Sequence, residues 1–422
     1  MHLELKLGEI SNFINGGAWS DTEYVDSGYK VVKVTNMING SIASRNDNFL
    51  SKKSYQKYQK HILYENDLIV ATVGSHPSQK GSVVGRTSIV PKEFHTALLN
   101  QNAVCIRITD KRICQTFFNY LTKTILFKHH IESRAQGSAN QVRMALGELK
   151  KFSFLYPPLN TQQKIASLLS NYDKLIENNS QRIKLLESMA EEMYKEWFVR
   201  LRFPGYKNVE VVDGLPVGWE RDKLSKYLKY HRGKSYSSED IAGDTGLPFI
   251  NLKCINRNGG FRRDGIKVFN GEYKETNVAY EGDIVMAVTD MTQDRAIVGR
   301  VAKVPAMNQD KYIVSMDLVK IEPLNIEKDF LYALLRFSTI GLLLKEFANG
   351  VNVLHLTPDM IYLQKVITPP KNLQIKFEKI LVPILKEIDI LNLKNDELRE
   401  IRDLLLPRLM SGKLKVEDLD II

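Results

Sequence analysis

The hydrophobic positions of this chain keep two different rhythms. Tyr172, Ile176, Asn179, Ile183, Leu186, Ala190, Met193 and Trp197 recur at alternating steps of four and three. The same rhythm returns at Phe377, Leu381, Ile384, Ile388, Leu391, Asn395, Leu398, Arg402 and Leu405. A stripe sustained over so many turns predicts a long helix with a seam for a second helix. Pro157-Pro158 and Pro369-Pro370 stand just ahead of the two stripes, and such a pair cannot continue a helix. Asn160 and Asn372 are the expected N-caps. Pro383 lies off the seam and is expected to kink the second helix.

Ahead of each stripe the pattern is shorter. Apolar runs at residues 31–34, 68–73, 104–108, 284–288 and 298–304 predict strands between polar, glycine-bearing loops. Helical spacing over 115–133 and 328–347 predicts one helix in each region. The fold class is mixed α/β (α+β): two tandem domains, each followed by a long helix. The expected boundaries are 1–158 for the first domain, 159–203 for its helix and linker, 204–370 for the second domain, and 371–422 for the second helix and tail.

The chain repeats itself. Glu65-Asn66-Asp67-Leu68-Ile69-Val70-Ala71 returns as Glu281-Gly282-Asp283-Ile284-Val285-Met286-Ala287, at an offset of 216. Val84-Gly85-Arg86 returns as Val298-Gly299-Arg300 at 214, and Pro157-Pro158, Asn160 and Gln162 return at 212. Anchors that keep their order while the offset drifts slowly are what a duplication with small loop deletions leaves. Two such helices can pair antiparallel about a pseudo-twofold axis as a coiled coil. Opposing a and d positions then put Asn179 and Asn395 face to face near the crossing, where an asparagine pair would fix register. The alternative is that each faces water.

Composition narrows the partners. The chain has 422 residues, 43% of them hydrophobic, and 59 Lys+Arg against 49 Asp+Glu give a net charge of +10. A basic balance suits a polyanion such as nucleic acid before a membrane surface. It is uneven: residues 1–159 hold 20 basic and 12 acidic side chains, residues 204–370 hold 22 and 21. Cys105, Cys114 and Cys254 are too few and scattered for a disulfide framework or a zinc site. With no signal peptide or transmembrane run, a cytoplasmic location is expected, with no membrane partner.

Catalytic signatures are missing. No phosphate loop G-x-x-x-x-G-K-[ST], H-E-x-x-H, C-x-x-C or dinucleotide glycine motif occurs. Tyr156-Pro157-Pro158-Leu159 lacks the asparagine of an adenine-methyltransferase motif, and His129-His130 has no metal-binding company. No catalytic residue, metal site or cofactor is assigned to this chain. The competing reading is a nuclease or methyltransferase acting on DNA through an unrecognised site.

Four motifs carry a family resemblance. Pro157-Pro158-Leu159-Asn160-Thr161-Gln162-Gln163-Lys164-Ile165-Ala166 resembles the helix start of type I restriction-modification specificity subunits. Trp197-Phe198-Val199 with Arg202-Phe203-Pro204-Gly205 resembles their inter-repeat linker. Gly214-Leu215-Pro216 with Gly218-Trp219 is similar to the start of their second recognition domain, and Leu405-Leu406-Pro407-Arg408-Leu409-Met410-Ser411-Gly412 to their closing motif. The second helix start lacks the double glutamine, and the amino terminus lacks the Gly-Trp pair. The resemblance implies a non-catalytic subunit whose two target recognition domains read a bipartite site in double-stranded DNA. The helices would set the gap and dock two methyltransferase subunits. S-adenosylmethionine would belong to those subunits, and ATP and Mg to two restriction-translocase subunits.

The candidate readers are polar loop residues: Ser75, His76, Ser78, Gln79 and Lys80, with Thr289, Asp290, Thr292, Gln293 and Arg295 as their counterparts. A further pair of loops holds Gln136, Ser138, Asn140 and Gln141, matched by Asn349 and Asn352. Asn and Gln suit adenine, Arg and Lys suit guanine. Lys33, Asn36, Arg86, Arg232, Asn251, Lys253 and Arg300 are weaker nominations, each equally open to a structural salt bridge. Trp197 and Phe198 are read first as closing the core between helix and domain, and second as a docking surface.

Overall fold

The structure is a computed structural model that describes residues 3–38, 40–44, 47–75, 77, 82–137, 142–307 and 309–418. It divides into two compact units, Met1–Glu177 with Asp396–Ile422, and Asn178–Asn395.

The two units share a core topology, with six strands in the main sheet of the first and four in that of the second. In the first, Leu68–Ala71 runs antiparallel between Ala103–Ile108 and Thr87–Ile89, and Ser11–Asn15 adds on the far side of Ala103–Ile108. In the second, Ile284–Ala287 lies between Leu318–Pro323 and Val301–Lys303, with Leu228–Arg232 outside. A second, four-stranded sheet in each unit contains one parallel pair, Leu98–Leu99 with Tyr29–Val32 and Tyr312–Val314 with Leu247–Ile250. The central strands are buried on both faces, so their side chains divide by parity. Leu68 and Val70 join the helices Gln115–Leu121 and Ile125–Glu132, whereas Ile69 and Ala71 join the core of the second sheet. Ile284 and Met286, against Val285 and Ala287, do the same in the second unit.

The repeated motifs are turns that only certain residues can make. Asn66 and Gly282 sit at φ 68° and 79°, and Asp67 and Asp283 accept the backbone N–H of Tyr64 and Tyr280 at 2.7 and 3.0 Å. Gly85 and Gly299 have φ 77° and 76°, and a Cβ there would lie 2.5 Å from Ile131 and 2.9 Å from the Gly341 carbonyl. Left-handed backbone against a packed helix demands glycine.

Where one helix is expected in each domain, two are found. Gln115–Leu121 and Ile125–Glu132 are split at Thr122–Thr124, and Lys328–Phe337 and Ile340–Glu346 at Ser338. The Thr122 and Thr124 hydroxyls donate back to the Asn119 and Leu121 carbonyls, and Ser338 is extended. The break lets the second short helix lie over the glycine turn, an advantage that local periodicity does not record.

Each long helix starts directly from a strand that closes its domain. Ser153–Tyr156 pairs with Leu3–Lys6, and Lys365–Thr368 with Glu220–Lys223. The helices span Leu159–Tyr194, continued by a wider turn to Val199, and Lys371–Met410, which runs on through Pro383. Asn160 and Asn372 therefore fall inside the first turn, exposed, rather than at the N-cap. Buried glutamines hold these starts instead. Gln162 donates to the Pro157 and Arg112 carbonyls and accepts the Cys114 N–H, all within 2.9 Å. Gln374, its counterpart in the second repeat, donates to the Pro369 carbonyl and accepts the Glu327 N–H. Gln162→Ala would leave one N–H and two carbonyls without the buried amide that pairs them. It is expected to cost about 3 kcal/mol, and Gln374→Ala about 2 kcal/mol. Urea midpoints check this, and two values within about 0.5 kcal/mol of wild type would remove the clamp.

The helices pair antiparallel. In the second unit Asn179, Arg182 and Trp197 meet Asn395, Glu387 and Phe377. In the first unit Thr161 and Asp173 meet Glu417 and Arg402. The Asn179 amide donates to the Asn395 side-chain oxygen at 3.0 Å, and the Asn395 amide donates to the Ser180 hydroxyl. Each domain packs on the start of its own helix and the end of the other. Ile165 and Leu169 with Leu406 and Leu409 serve the first unit, and Phe377 and Leu381 with Ala190 and Tyr194 the second. Phe198 lies against Phe330 and Phe377, and Trp197 against Phe377, so both complete this core.

Candidate nucleic-acid interface

In each unit, one strand pair draws the two candidate loops together. Val73–Gly74 pairs with Val142–Arg143, and a bridge joins Gln136 to Arg143. Thr289–Asp290 pairs with Leu354–His355, and the matching bridge joins Asn349 to His355. Residues far apart in sequence thus emerge side by side. Arg143 and His355 hold the same strand position and are exposed beside the loops. Sequence reasoning misses both, since a single Arg or His on so short a strand carries no local signal.

The second loop pair is described throughout. The Asp290 carboxylate accepts the N–H groups of Thr292 and Ile297. The Gln293 amide donates to the Val351 carbonyl at 2.7 Å. Thr292, Gln293, Asn349 and Asn352 are exposed. Arg295 has φ 51° and turns back to the Lys345 carbonyl and Glu346. Asp294 faces solvent beside Arg257 at 3.5 Å, and the Thr292 hydroxyl holds its carboxyl below the ordinary aspartate value. In the first unit, Ser75 accepts the Ser82 hydroxyl through its carbonyl and Gln136 is exposed. His76, Ser78, Gln79, Lys80, Ser138, Asn140 and Gln141 lie outside the described residues.

Several nominated residues serve the scaffold. Asn36 is buried, accepts the Lys33 N–H and donates to the Ala43 carbonyl. Asn251 is buried, accepts the Lys253 N–H and donates to the Gly265 carbonyl. Asp290 is spent inside its loop, and the buried Thr289 donates to Asp317. Arg86 and Arg300 each donate to the carbonyl four positions back, Ser82 and Ala296, which steadies the loop base. Short polar side chains in turns bond their own backbone as readily as a ligand. Lys33 lies over the Tyr24 ring at 4.5 Å, and the exposed Lys253 is on the equivalent turn. Arg232 ends an edge strand, exposed.

The family model for the type I restriction modification DNA specificity domain matches residues 4–188 and again 216–400. The chain belongs to this specificity-domain family. The type I restriction enzyme MjaIX specificity subunit of Methanocaldococcus jannaschii is 29% identical over 324 residues, covering 73% of this chain and 71% of the relative. The HindI specificity subunit of Haemophilus influenzae is 26% identical over 356 residues, covering 69% and 74%. The crystal structure of the type I restriction-modification S subunit from M. genitalium has the same fold. It matches with a TM-score of 0.60 at 18% identity, over 97% of this chain and 96% of that one.

Within this specificity-family chain, a charged junction fastens each domain to the helices. In the first unit Asp173 accepts from the Tyr120 hydroxyl at 2.6 Å and from Arg402 at 2.5 Å, with Lys123 at 3.5 Å. Burial pushes the Asp173 carboxyl up, but Lys123, Tyr120 and Arg402 together hold it below the usual range. In the second unit Arg336 donates to Glu187 at 2.6 Å and to the Tyr332 hydroxyl at 2.7 Å. Burial pulls the Arg336 guanidinium down, and Tyr332 and Glu187 more than offset it. Tyr120 and Tyr332 stand at equivalent positions of the repeat, so the duplication kept the tyrosine and changed the charges around it.

Proposed function

We propose that this chain is the non-catalytic DNA-recognition subunit of a type I restriction-modification complex. In this reading each strand-tied loop pair reads one half of a bipartite duplex site, and the paired helices set the gap. The observation that carries it is the recurrence of one loop-pairing device in both units: two polar loops joined by a very short strand pair. Such loops suit base edges, because a rigid scaffold positions several donors and acceptors at once. Phosphate contacts fall more to the basic first domain. The helices present exposed Leu185 and Met189, one turn apart, and exposed Ile401 and Leu404. Apolar side chains outside the seam suit docking of two methyltransferase subunits. These would bring S-adenosylmethionine, and two restriction-translocase subunits would bring ATP and Mg.

The test is a map of methylated adenines. Expressed with its methyltransferase subunits, the chain is expected to direct methylation to two short sequences separated by unread base pairs. Replacing residues 289–295 and 349–352 together by Gly/Ser segments should abolish or relax one half-site and leave the other intact. Methylation by the purified chain alone, or an unaltered map, would refute the reading.

A further inference from the structure

We infer that the second loop pair reads a thymine methyl group in the major groove through Met291 and Val351. The inference rests on the DNA-reading role proposed above and names one feature that this domain reads. Val351 is 85% exposed and Met291 74%, the two highest values for large apolar side chains among the described residues. Both lie on the joined loops 289–295 and 349–352, whose other residues are polar or glycine.

Their positions are built. Met291 follows Asp290, whose carboxylate fixes the loop through Thr292 and Ile297. Val351 is tied across to the other loop by the Gln293 amide on its carbonyl. The backbone is thus held while both side chains point into solvent, an arrangement that adds nothing to folding, since neither side chain is buried. Two side chains are far too little for a protein interface, which takes about 800 Å² per partner. They match a smaller apolar target.

In the major groove that target is the C5-methyl of thymine, the one apolar group on the base edges. Asn352 follows Val351 with its amide exposed, while the exposed amides of Gln293 and Asn349 each already donate to a loop carbonyl, that of Val351 and of Phe347. Amides pair with adenine, so one loop pair carries the chemistry for both sides of a T·A pair. Charge points the same way: with 22 basic against 21 acidic side chains over residues 204–370, this domain gains little from phosphates and depends on base edges.

The experiment uses the full chain with its methyltransferase subunits and two random duplex libraries, one with thymine and one with deoxyuridine, which lacks only the methyl. From the thymine library, wild type is expected to select a bipartite consensus with a T·A pair in one half-site. The preference at that position should weaken in the deoxyuridine library, where only the adenine is still read, and a single dT→dU change there should weaken binding about fourfold, the worth of one buried carbon group. Met291→Ala with Val351→Ala should bind the dT and dU sites equally, whereas Met291→Leu with Val351→Ile should keep the preference. The other half-site, unchanged in every variant, reports that the protein is folded. The inference is overturned by an equally strong preference at that position in both libraries, by a half-site without thymine, or by equal losses on dT and dU in the Ala variant, the mark of a wedge between bases. Recovery of no bipartite consensus would defeat the DNA-reading role itself, a separate result.

Discussion

Glu187→Ala is expected to destabilise the chain by about 3 kcal/mol, a large effect for one truncation on a helix surface. The reason lies in its partner. The Arg336 side chain is only 8% exposed, and its guanidinium is shared between Glu187 and the Tyr332 hydroxyl. Removing the carboxylate leaves a cation in the interior without a counter-charge, and that is far costlier than losing a solvated pair. Glu187 itself is 36% exposed, so the penalty falls on the arginine left behind. The ordering of variants separates this from lost packing: Glu187→Leu combined with Arg336→Met should cost less than Glu187→Ala alone, because no buried charge remains. Denaturant midpoints decide it. A Glu187→Ala protein within about 0.5 kcal/mol of wild type would show that the junction fastens nothing.

The second large effect concerns the gap between half-sites, and it tests the helices as a ruler. One heptad added to each helix lengthens the pair by about 10.5 Å, or roughly three base pairs at 3.4 Å each. The seam keeps its phase to within about 20°, whereas three base pairs turn the DNA by about 100° at ~10.5 per turn. That single heptad should therefore direct methylation to sites with a gap some three base pairs longer, at reduced efficiency. Three heptads add about 32 Å, roughly nine base pairs and close to a full turn, so efficiency should recover. Both half-site sequences should stay as they were. Methylation maps of the two insertion variants check this, and a constant gap with altered half-sites would sink the ruler.

The first unit offers a comparison for the junction. Asp173 is held between Tyr120, Lys123 and Arg402, so no single partner is as indispensable there as Glu187 is to Arg336. Redundancy of that kind spreads a mutational loss over several contacts.

Much of this architecture was readable from the residues in order. The slowly drifting offsets between matching motifs gave the duplication, because the turns at Asn66 and Gly282 and at Gly85 and Gly299 need residues that tolerate positive φ. The four-three rhythm gave both long helices, since a seam constrains every turn of the helices that share it. What only the tertiary structure decided depends on residues distant in sequence. The break at Thr122–Thr124 exists because a second short helix must cover the glycine turn, which no local pattern records. Asn160 and Asn372 gave way to Gln162 and Gln374 because a longer amide reaches another segment of the domain. Asn36, Asn251 and Asp290 look like readers in the sequence and sit inside their own turns, since a short polar side chain has backbone partners close at hand. The loops themselves were visible as polar segments. Their meeting from distant parts of each domain depends on the pairing of Val73–Gly74 with Val142–Arg143 and of Thr289–Asp290 with Leu354–His355, strands too short to leave a periodicity in the chain.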